Sequence, residues 1–433
     1  MPKISLKSFL LALLALLTIF SAYSPARDFR WKKKISEGID YIHIKKFAGH
    51  GWIHVYILKI DLQRGDIDVR PALAKDTIGA LEPTHSIAKR SNAVAAINGS
   101  FFDGRRKPPL PVGIISIDGK MVNKSILPRC AFGITQGKDV IIGIPRIESK
   151  IVLPKKNKSF DIWGINRPRK NDEIILYTNE YGDRTKTNQF GIEIMVRKGK
   201  VSSILRAKGN SSIPKDGYVI SLHGKSRRYA DWMKKGDYLL VEFNLGKGWQ
   251  MVDHMVSGGP LLIKDGKMVV KKMVIEEFFR GKLLKRSART AIGETKDKKL
   301  MFVVVDKRRG ISNGVFYSEL SNIMLKEGAW NAMGLDGGGS STMYVDGRIV
   351  NYPTAGSAIP VSNAIVVKKT GWRLLAKKPA KIPSPIKEIS VEATAISSLE
   401  VSEVMPSEDG LIQIYNLLVK PLFTTTTREV VSD

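Results

Sequence analysis

The sequence predicts an α+β protein: strand-rich mixed or antiparallel sheets, a few short helices, and a single large catalytic domain. Two patterns give the fold and a third marks the site. Apolar and polar residues alternate with period two through Tyr41–Ile44, Ile53–Leu62 and Ile67–Leu73, with turn residues such as Gly65-Asp66 between them, as in half-buried antiparallel strands. Stretches with helical spacing are few and short. Finally, Leu335-Asp336-Gly337-Gly338-Gly339-Ser340-Ser341-Thr342-Met343 brings one carboxylate from an apolar run to three glycines and three hydroxyls. Consecutive glycines cost backbone entropy and are kept where φ must be positive or the backbone must approach a ligand closely. N–H groups and hydroxyls beside a carboxylate suit a phosphate or a sugar; a strand-to-strand turn with Ser/Thr chemistry is the alternative reading.

With 433 residues, 43% hydrophobic and 26% charged, the chain can bury a large core, and its composition is that of a globular protein rather than a disordered one. Lys3 and Lys7 precede the apolar run Phe9–Phe20 and the small residues up to Ala26, so residues 1–26 read as a secretory signal peptide. The protein is therefore expected to be exported, to periplasm, extracellular space or envelope. The run is short for a membrane span, so membrane contact is expected only through an uncleaved signal. Residues 370–387 form a Pro/Lys-rich linker, and 388–433 an acidic tail in which only Leu411–Leu422 is apolar enough to dock.

The net charge of +29 is carried by the body, since the tail holds eight acidic and two basic residues. An exported basic body fits an anionic envelope polymer or lipid surface, with a solvated lysine surface as the alternative. Nucleic acid is disfavoured by compartment and by the lack of a recognised motif. Cys130 is the only cysteine, which excludes an intrachain disulfide. The six histidines form no HExxH-type pattern; His50 and His54 share a strand face without a third ligand, so a transition-metal site is not expected.

Taken in order, Thr84 is expected to cap a helix through Arg90, and Ala93–Ile97 is a small-residue strand ending at Asn98-Gly99-Ser100-Phe101-Phe102-Asp103. Adjacent phenylalanines on a strand face opposite ways, so one of them is expected to leave the core and line a pocket. Short strands follow at Val112–Ile117, Phe132–Thr135, Val140–Ile144, Glu173–Thr178, Gly191–Arg197, Gly217–Leu222 and Tyr238–Phe243, with a brief helix near Arg228–Lys235. Ser257-Gly258-Gly259-Pro260 is a third glycine-rich strand entry. The strand opening at Arg289-Thr290 is followed by the apolar strand Leu300–Val305, which stops at Asp306-Lys307-Arg308, and Ser318 is expected to cap a helix ending at Gly328. Ile359–Val367 is the last core strand, with Asn363 its one amide.

Six motifs together, Asn98-Gly-Ser-Phe-Phe-Asp, Ser257-Gly-Gly-Pro, Arg289-Thr-Ala-Ile-Gly, Val305-Asp-Lys-Arg with Ser312 and Gly314, Leu335–Met343 and Val361-Ser-Asn-Ala-Ile, resemble the phosphodiester glycosidase family in content and order. The resemblance covers roughly residues 40–369. This chain has Ser100 where the family usually has a second glycine, and Lys307 where it has the glycine of Asp-Gly-Arg. Ser100 is a modest change if its φ is negative; Lys307 puts a long cation beside the expected pocket.

The resemblance implies hydrolysis of a glycosyl-1-phosphodiester in an envelope or extracellular glycan, which needs a cationic clamp on the phosphate, a carboxylate at the anomeric centre and hydrogen bonds to sugar hydroxyls. On it, Asp336 is nucleophile or general base and Asp306 the second carboxylate. Arg289 and Arg308 clamp the phosphate. Gly258, Gly259, Gly337, Gly338, Gly339, Ser340 and Ser341 line the anion and sugar sites, and Asn98, Asp103 and Asn363 bind sugar hydroxyls. No required cofactor is identified; three carboxylates near glycine loops could hold Ca2+ or Mg2+ and could equally act without one. An ordinary glycosidase acting on peptidoglycan or exopolysaccharide, and a non-catalytic exopolysaccharide-binding or assembly factor, are the competing readings. The sequence does not give the oligomeric state.

Overall fold

The computed structural model describes residues 28–124, 129–277, 284–369 and the strand Ile412–Ile414. The expected signal peptide, the 370–387 linker and the remainder of the acidic tail lie outside the described residues. Strands dominate, and three α-helices, Thr84–Arg90, Val270–Glu276 and Tyr317–Lys326, occur among the described residues. The balance is thus mostly β rather than α+β, because turn residues interrupt the 112–250 stretch too often for a 3.6-residue apolar stripe to develop.

An eight-stranded antiparallel sheet runs in the order Phe29–Ser36, Ile39–Phe47, Trp52–Ile60, Leu300–Val305, Arg289–Thr295, Ala329–Gly334, Leu261–Lys264, Lys267–Met268. Leu300–Val305 is apolar throughout because both its faces are covered. Phe302 and Val304 join Tyr56 and Leu58 in a core shared with Ile97, Met343 and Ile365. Met301, Val303 and Val305 join Val55 and Ile57 against Tyr317, Leu320 and Met324 of the long helix. Each such side chain, fully removed from water, contributes about 1.5–3 kcal/mol, and the alternation ties the register of every strand to this two-sided burial.

The first of these layers is closed by a second antiparallel sheet, ordered Arg348–Ile349, Met343–Val345, Ala95–Asn98, Asn363–Lys369, Ile67–Leu73. It brings Asn98 and Asn363 level with the ends of Ala329–Gly334 and Leu300–Val305.

Further sheets form the middle of the chain. The expected strands are present with shifted ends: Val112–Ile117 shortens to Ile115–Ile117, since Gly113 is at φ +105° and the Val112 N–H bonds Phe101 O. The hairpin Glu148–Leu153 with Lys158–Asp161, whose buried Ile151, Leu153 and Phe160 stand among lysines, is not read from the sequence pattern. One parallel pair, Gly164–Ile165 with Ile174–Tyr177, makes its sheet mixed. The helix expected near Arg228–Lys235 is a 3-10 stretch, Gly224–Trp232. The Ile412–Ile414 strand pairs with Leu240–Asn244. Ser318 lies inside its helix, not at the cap; Phe316 occupies the cap, and its N–H is taken by Glu319 Oε2 at 2.8 Å.

Candidate functional site

The two sheets end together, and the side chains at those ends are first of all mutual supports. Asn98 is fully buried: its Nδ2 donates to Asp336 O at 2.6 Å, and its Oδ1 accepts from Thr290 Oγ1 at 2.8 Å and Thr342 N at 3.1 Å. The Asp336 N–H closes the circuit on Gly99 O at 3.1 Å. Asn363, also fully buried, accepts from Ser100 N at 3.0 Å and donates to the Ser100 and Ser362 hydroxyls at 2.7 and 2.9 Å. Both amides were expected to meet sugar hydroxyls; both instead brace the floor. Ser100 keeps a negative φ, and its hydroxyl fills the space beside Asn363. Gly99 is required here, because a Cβ would come within 1.9 Å of Asn363 Oδ1.

Asp336 emerges from this floor with Oδ2 accepting from Ser340 Oγ at 2.6 Å. Burial pushes its carboxyl up to about 7, against the opposing pull of the Ser340 hydroxyl and the Gly337 N–H. A group half-ionised near neutral pH is suited to proton transfer. Beside it, Arg289 lies with its guanidinium carbon 3.8 Å from the centroid of Tyr317 and its Nη2 2.6 Å from Lys285 O. Burial lowers the Arg289 pKa, and burial pushes the Tyr317 phenol up to about 12, with the Asp336 and Glu277 charges adding to the rise and Arg289 and Arg129 opposing it. Arg129 lies 5.8 Å over Phe101. Phe102 packs instead with Tyr344 and Val361, so the paired phenylalanines do part company. Arg129, Tyr317 and Glu277 were not anticipated, since none stands in a glycine-rich motif; the elements around Tyr317 bring them in.

The glycines serve chiefly the backbone. Gly258 N donates to Cys130 O and Gly259 N to Gly334 O, both at 2.8 Å, so these two N–H groups do not face an anion as expected. A Cβ on Gly258 would meet Gly334 O at 2.4 Å, which is why that strand entry is bare. Glu277 stabilises the same turn, accepting from Cys130 N at 2.8 Å and Leu261 N at 2.6 Å. Gly338, at φ +62°, donates to Ala288 O at 2.8 Å, while the Gly337 N–H serves Asp336. Gly338–Ser340 is a 3-10 turn. The hydroxyls of Ser341 and Thr342 are buried without a partner among the described residues.

Asp306 belongs to a separate cluster. It is 1% exposed, accepts from Asn351 Nδ2 at 2.8 Å and Tyr352 N at 2.9 Å, and burial lifts its carboxyl to about 6. Its neighbours are Tyr56 and Arg308, not the groups around Asp336. The expected pairing of these two carboxylates on one reacting centre is therefore replaced by a hydrogen-bonded link: Asn351 Nδ2 also bonds Ser341 O at 3.2 Å. Arg308 sits with Lys307 in a hairpin against Ser312–Asn313, on the Asp306 side. The Lys307 ammonium turns to Arg286 O at 2.8 Å, so its long side chain is accommodated outside the turn. Next to Asp306, His43 Nε2 and His54 Nδ1 are 3.0 Å apart, and burial with the neighbouring charges takes His54 down to about 4.

Asp103 is taken up by the turn that follows it, accepting from Arg105 N at 3.2 Å and Arg106 Nε at 3.0 Å. Asp103, Asp306 and Asp336 thus do not gather into one hard-cation cage. The group with metal-ligand chemistry among the described residues is Asp118, Asp253 and His254, on another sheet. There the Asp118 N–H donates to His254 Nδ1 at 3.2 Å, and Arg70 Nη1 holds Asp118 at 2.9 Å. A neutral ring accepting at Nδ1 carries its proton on Nε2, the nitrogen facing the carboxylates, so it turns an N–H toward them and offers a metal no lone pair.

The phosphodiester glycosidase family model matches residues 190–368, which include Asp336, Asp306, Arg289 and Asn363 but not Asn98 or Asp103. An uncharacterised protein of Rickettsia conorii is 26% identical over 234 residues, 51% of this chain and 77% of that one. The N-acetylglucosamine-1-phosphodiester alpha-N-acetylglucosaminidase of Bos taurus is 37% identical over 68 residues, and the match spans 16% of this chain and 13% of that protein's length. In fold, a Burkholderia pseudomallei protein described as exported superposes with a TM-score of 0.67 at 18% identity, covering 80% of this chain and 97% of the other. No helix among the described residues is long and apolar enough to cross a membrane. The match over residues 190–368, with the glycine-bearing motifs it contains, makes this part of the chain similar to the phosphodiester glycosidases.

Proposed function

We propose that this protein is an exported hydrolase that cleaves the bond between an anomeric carbon and a phosphodiester oxygen in an envelope or extracellular glycan. The observation that carries the reading is Asp336, a carboxyl lifted to about 7 at a strand end, with Ser340 on one oxygen and the Arg289–Tyr317 pair close by. Water attacks the anomeric carbon while Asp336 takes its proton. The carbon–oxygen bond to phosphorus breaks, and the phosphate departs as a monoester whose negative charge Arg289 stabilises. Such an anion is a weakly basic leaving group, so one carboxylate suffices where an ordinary glycoside needs a general acid as well.

Asp306 is a positioning residue in this reading, holding the Asn351–Tyr352 segment that in turn carries Ser341. The N-terminal segment and the exported structural neighbour support the assignment to the envelope or extracellular space. Comparing a glycosyl-1-phosphodiester with the matching alkyl glycoside tests the reading: turnover of the first and not the second is expected, and the reverse order would replace it with an ordinary glycosidase.

A further inference from the structure

One face of the first three strands of the large sheet carries aromatic rings interspersed with two lysines. Across the register, Phe29 faces Lys45, Trp31 faces His43 and Phe47 faces Trp52, so these side chains share a face with His54 and Tyr56. Phe29, Trp31 and Phe47 are 60%, 50% and 45% exposed. The rings form small groups: Phe29 and Phe47 lie 6.4 and 5.6 Å from Trp52, Trp31 lies 5.6 Å from Tyr41, and His43 stacks on Tyr56 at 4.6 Å. Tyr352, 45% exposed, stands edge-on to His54 at 6.0 Å, and its position is fixed by the bond from its N–H to Asp306. The strip therefore starts at Tyr352, beside Asp306, and crosses three strands, about 10 Å at roughly 4.8 Å per strand.

Charge is sorted between the two faces of the same strands. On the opposite face Arg30 pairs with Glu327 at 2.5 Å, Lys32 with Asp40 at 2.8 Å, and Lys34 with Glu37. On the ring-bearing face Lys33 and Lys45 have no carboxylate partner among the described residues, and Lys45 Nζ lies 4.7 Å over Trp52. Arg308 adds a third cation, on the Asp306 side of the strip. Exposed aromatic rings offer apolar faces to the C–H faces of sugar rings, and ammonium groups left unpaired between them call for an anion at the same spacing.

The geometry points to a binding strip for an anionic polysaccharide chain, laid across Phe29, Trp31, Trp52 and Tyr352 with its acid groups on Lys33 and Lys45, and leading toward Asp306. This deepens the proposed function by assigning its substrate class, yet retention on the strip needs no turnover. A protein that binds such a chain but hydrolyses nothing would leave the strip standing and remove the hydrolase reading.

The test is affinity electrophoresis and calorimetry of the full-length protein with polygalacturonate, and with dextran as the neutral control, at low ionic strength. Wild type should bind polygalacturonate at least tenfold more tightly than dextran. Trp31→Ala and the double substitution Lys33→Gln/Lys45→Gln should each lose tenfold or more, whereas Phe190→Ala, which removes an exposed ring just before the strand Gly191–Arg197, should not. Equal affinity for dextran, or loss in the lysine variant with none in Trp31→Ala, would overturn the proposal.

Discussion

Ser340 donates its hydroxyl to Asp336 Oδ2 at 2.6 Å, and this bond holds the carboxyl of Asp336 below the value that burial alone would give it. Activity that needs the carboxylate should rise as pH increases through about 7 and level off above it. Removing the hydroxyl in Ser340→Ala leaves the anion less stabilised, so the rising limb of log kcat/KM should move to higher pH. A limb that stays in place in the variant would place the titrating group elsewhere.

Stability should run the other way. The folded-state value of Asp336 lies above the ordinary 3.8, so between about 4 and 7 the folded protein keeps a proton that the unfolded chain has lost, and stability falls as pH rises through that window. Asp336→Asn mimics the protonated form. Its Tm should exceed that of wild type at pH 8 and converge with it below pH 4, as measured by calorimetry.

Asp306 should behave as a structural anchor. Asp306→Ala leaves the Tyr352 N–H and part of the Asn351 amide without acceptors, and one such buried donor costs about 1–3 kcal/mol. Urea denaturation should show a loss of this size, with near-ultraviolet circular dichroism reporting a displaced Tyr352. A wild-type midpoint would contradict the anchoring role.

The Arg289 guanidinium, its carbon 3.8 Å from the Tyr317 ring centroid, is not interchangeable with an ammonium. Arg289→Lys keeps the charge but loses the fork and the stacking. One charge-assisted bond at about 1.5 kcal/mol corresponds to roughly tenfold in KM for the phosphodiester substrate. Steady-state kinetics with an unchanged KM would remove Arg289 from phosphate binding.

Much of this architecture is legible in the residues. Period-two alternation locates Ile67–Leu73 and a continuous apolar run locates Leu300–Val305, because burial on one face or on both leaves a pattern in composition, and Asp336 stands out because three glycines after a carboxylate make poor packing material. What those glycines do is less legible. The bare positions at Gly99 and Gly258 answer close approaches by Asn363 and the Gly334 carbonyl, contacts between residues far apart in sequence. Asn98 and Asn363 likewise look like ligand-binding amides until their partners are seen. The parting of Asp306 from Asp336, and the arrival of Arg129 and Tyr317, depend on where the strands and the long helix place their ends, which no local motif records.

The most direct measurement is sugar release by purified wild-type protein and by Asp336→Asn from a panel of α- and β-linked glycosyl-1-phosphodiesters, run with and without chelator. The account predicts turnover of one anomeric series by wild type and a fall of at least about a hundredfold in a folded Asp336→Asn variant, the scale of a lost proton-transfer group. Release at the native rate by Asp336→Asn, or no release from any member of the panel by wild type, would contradict it.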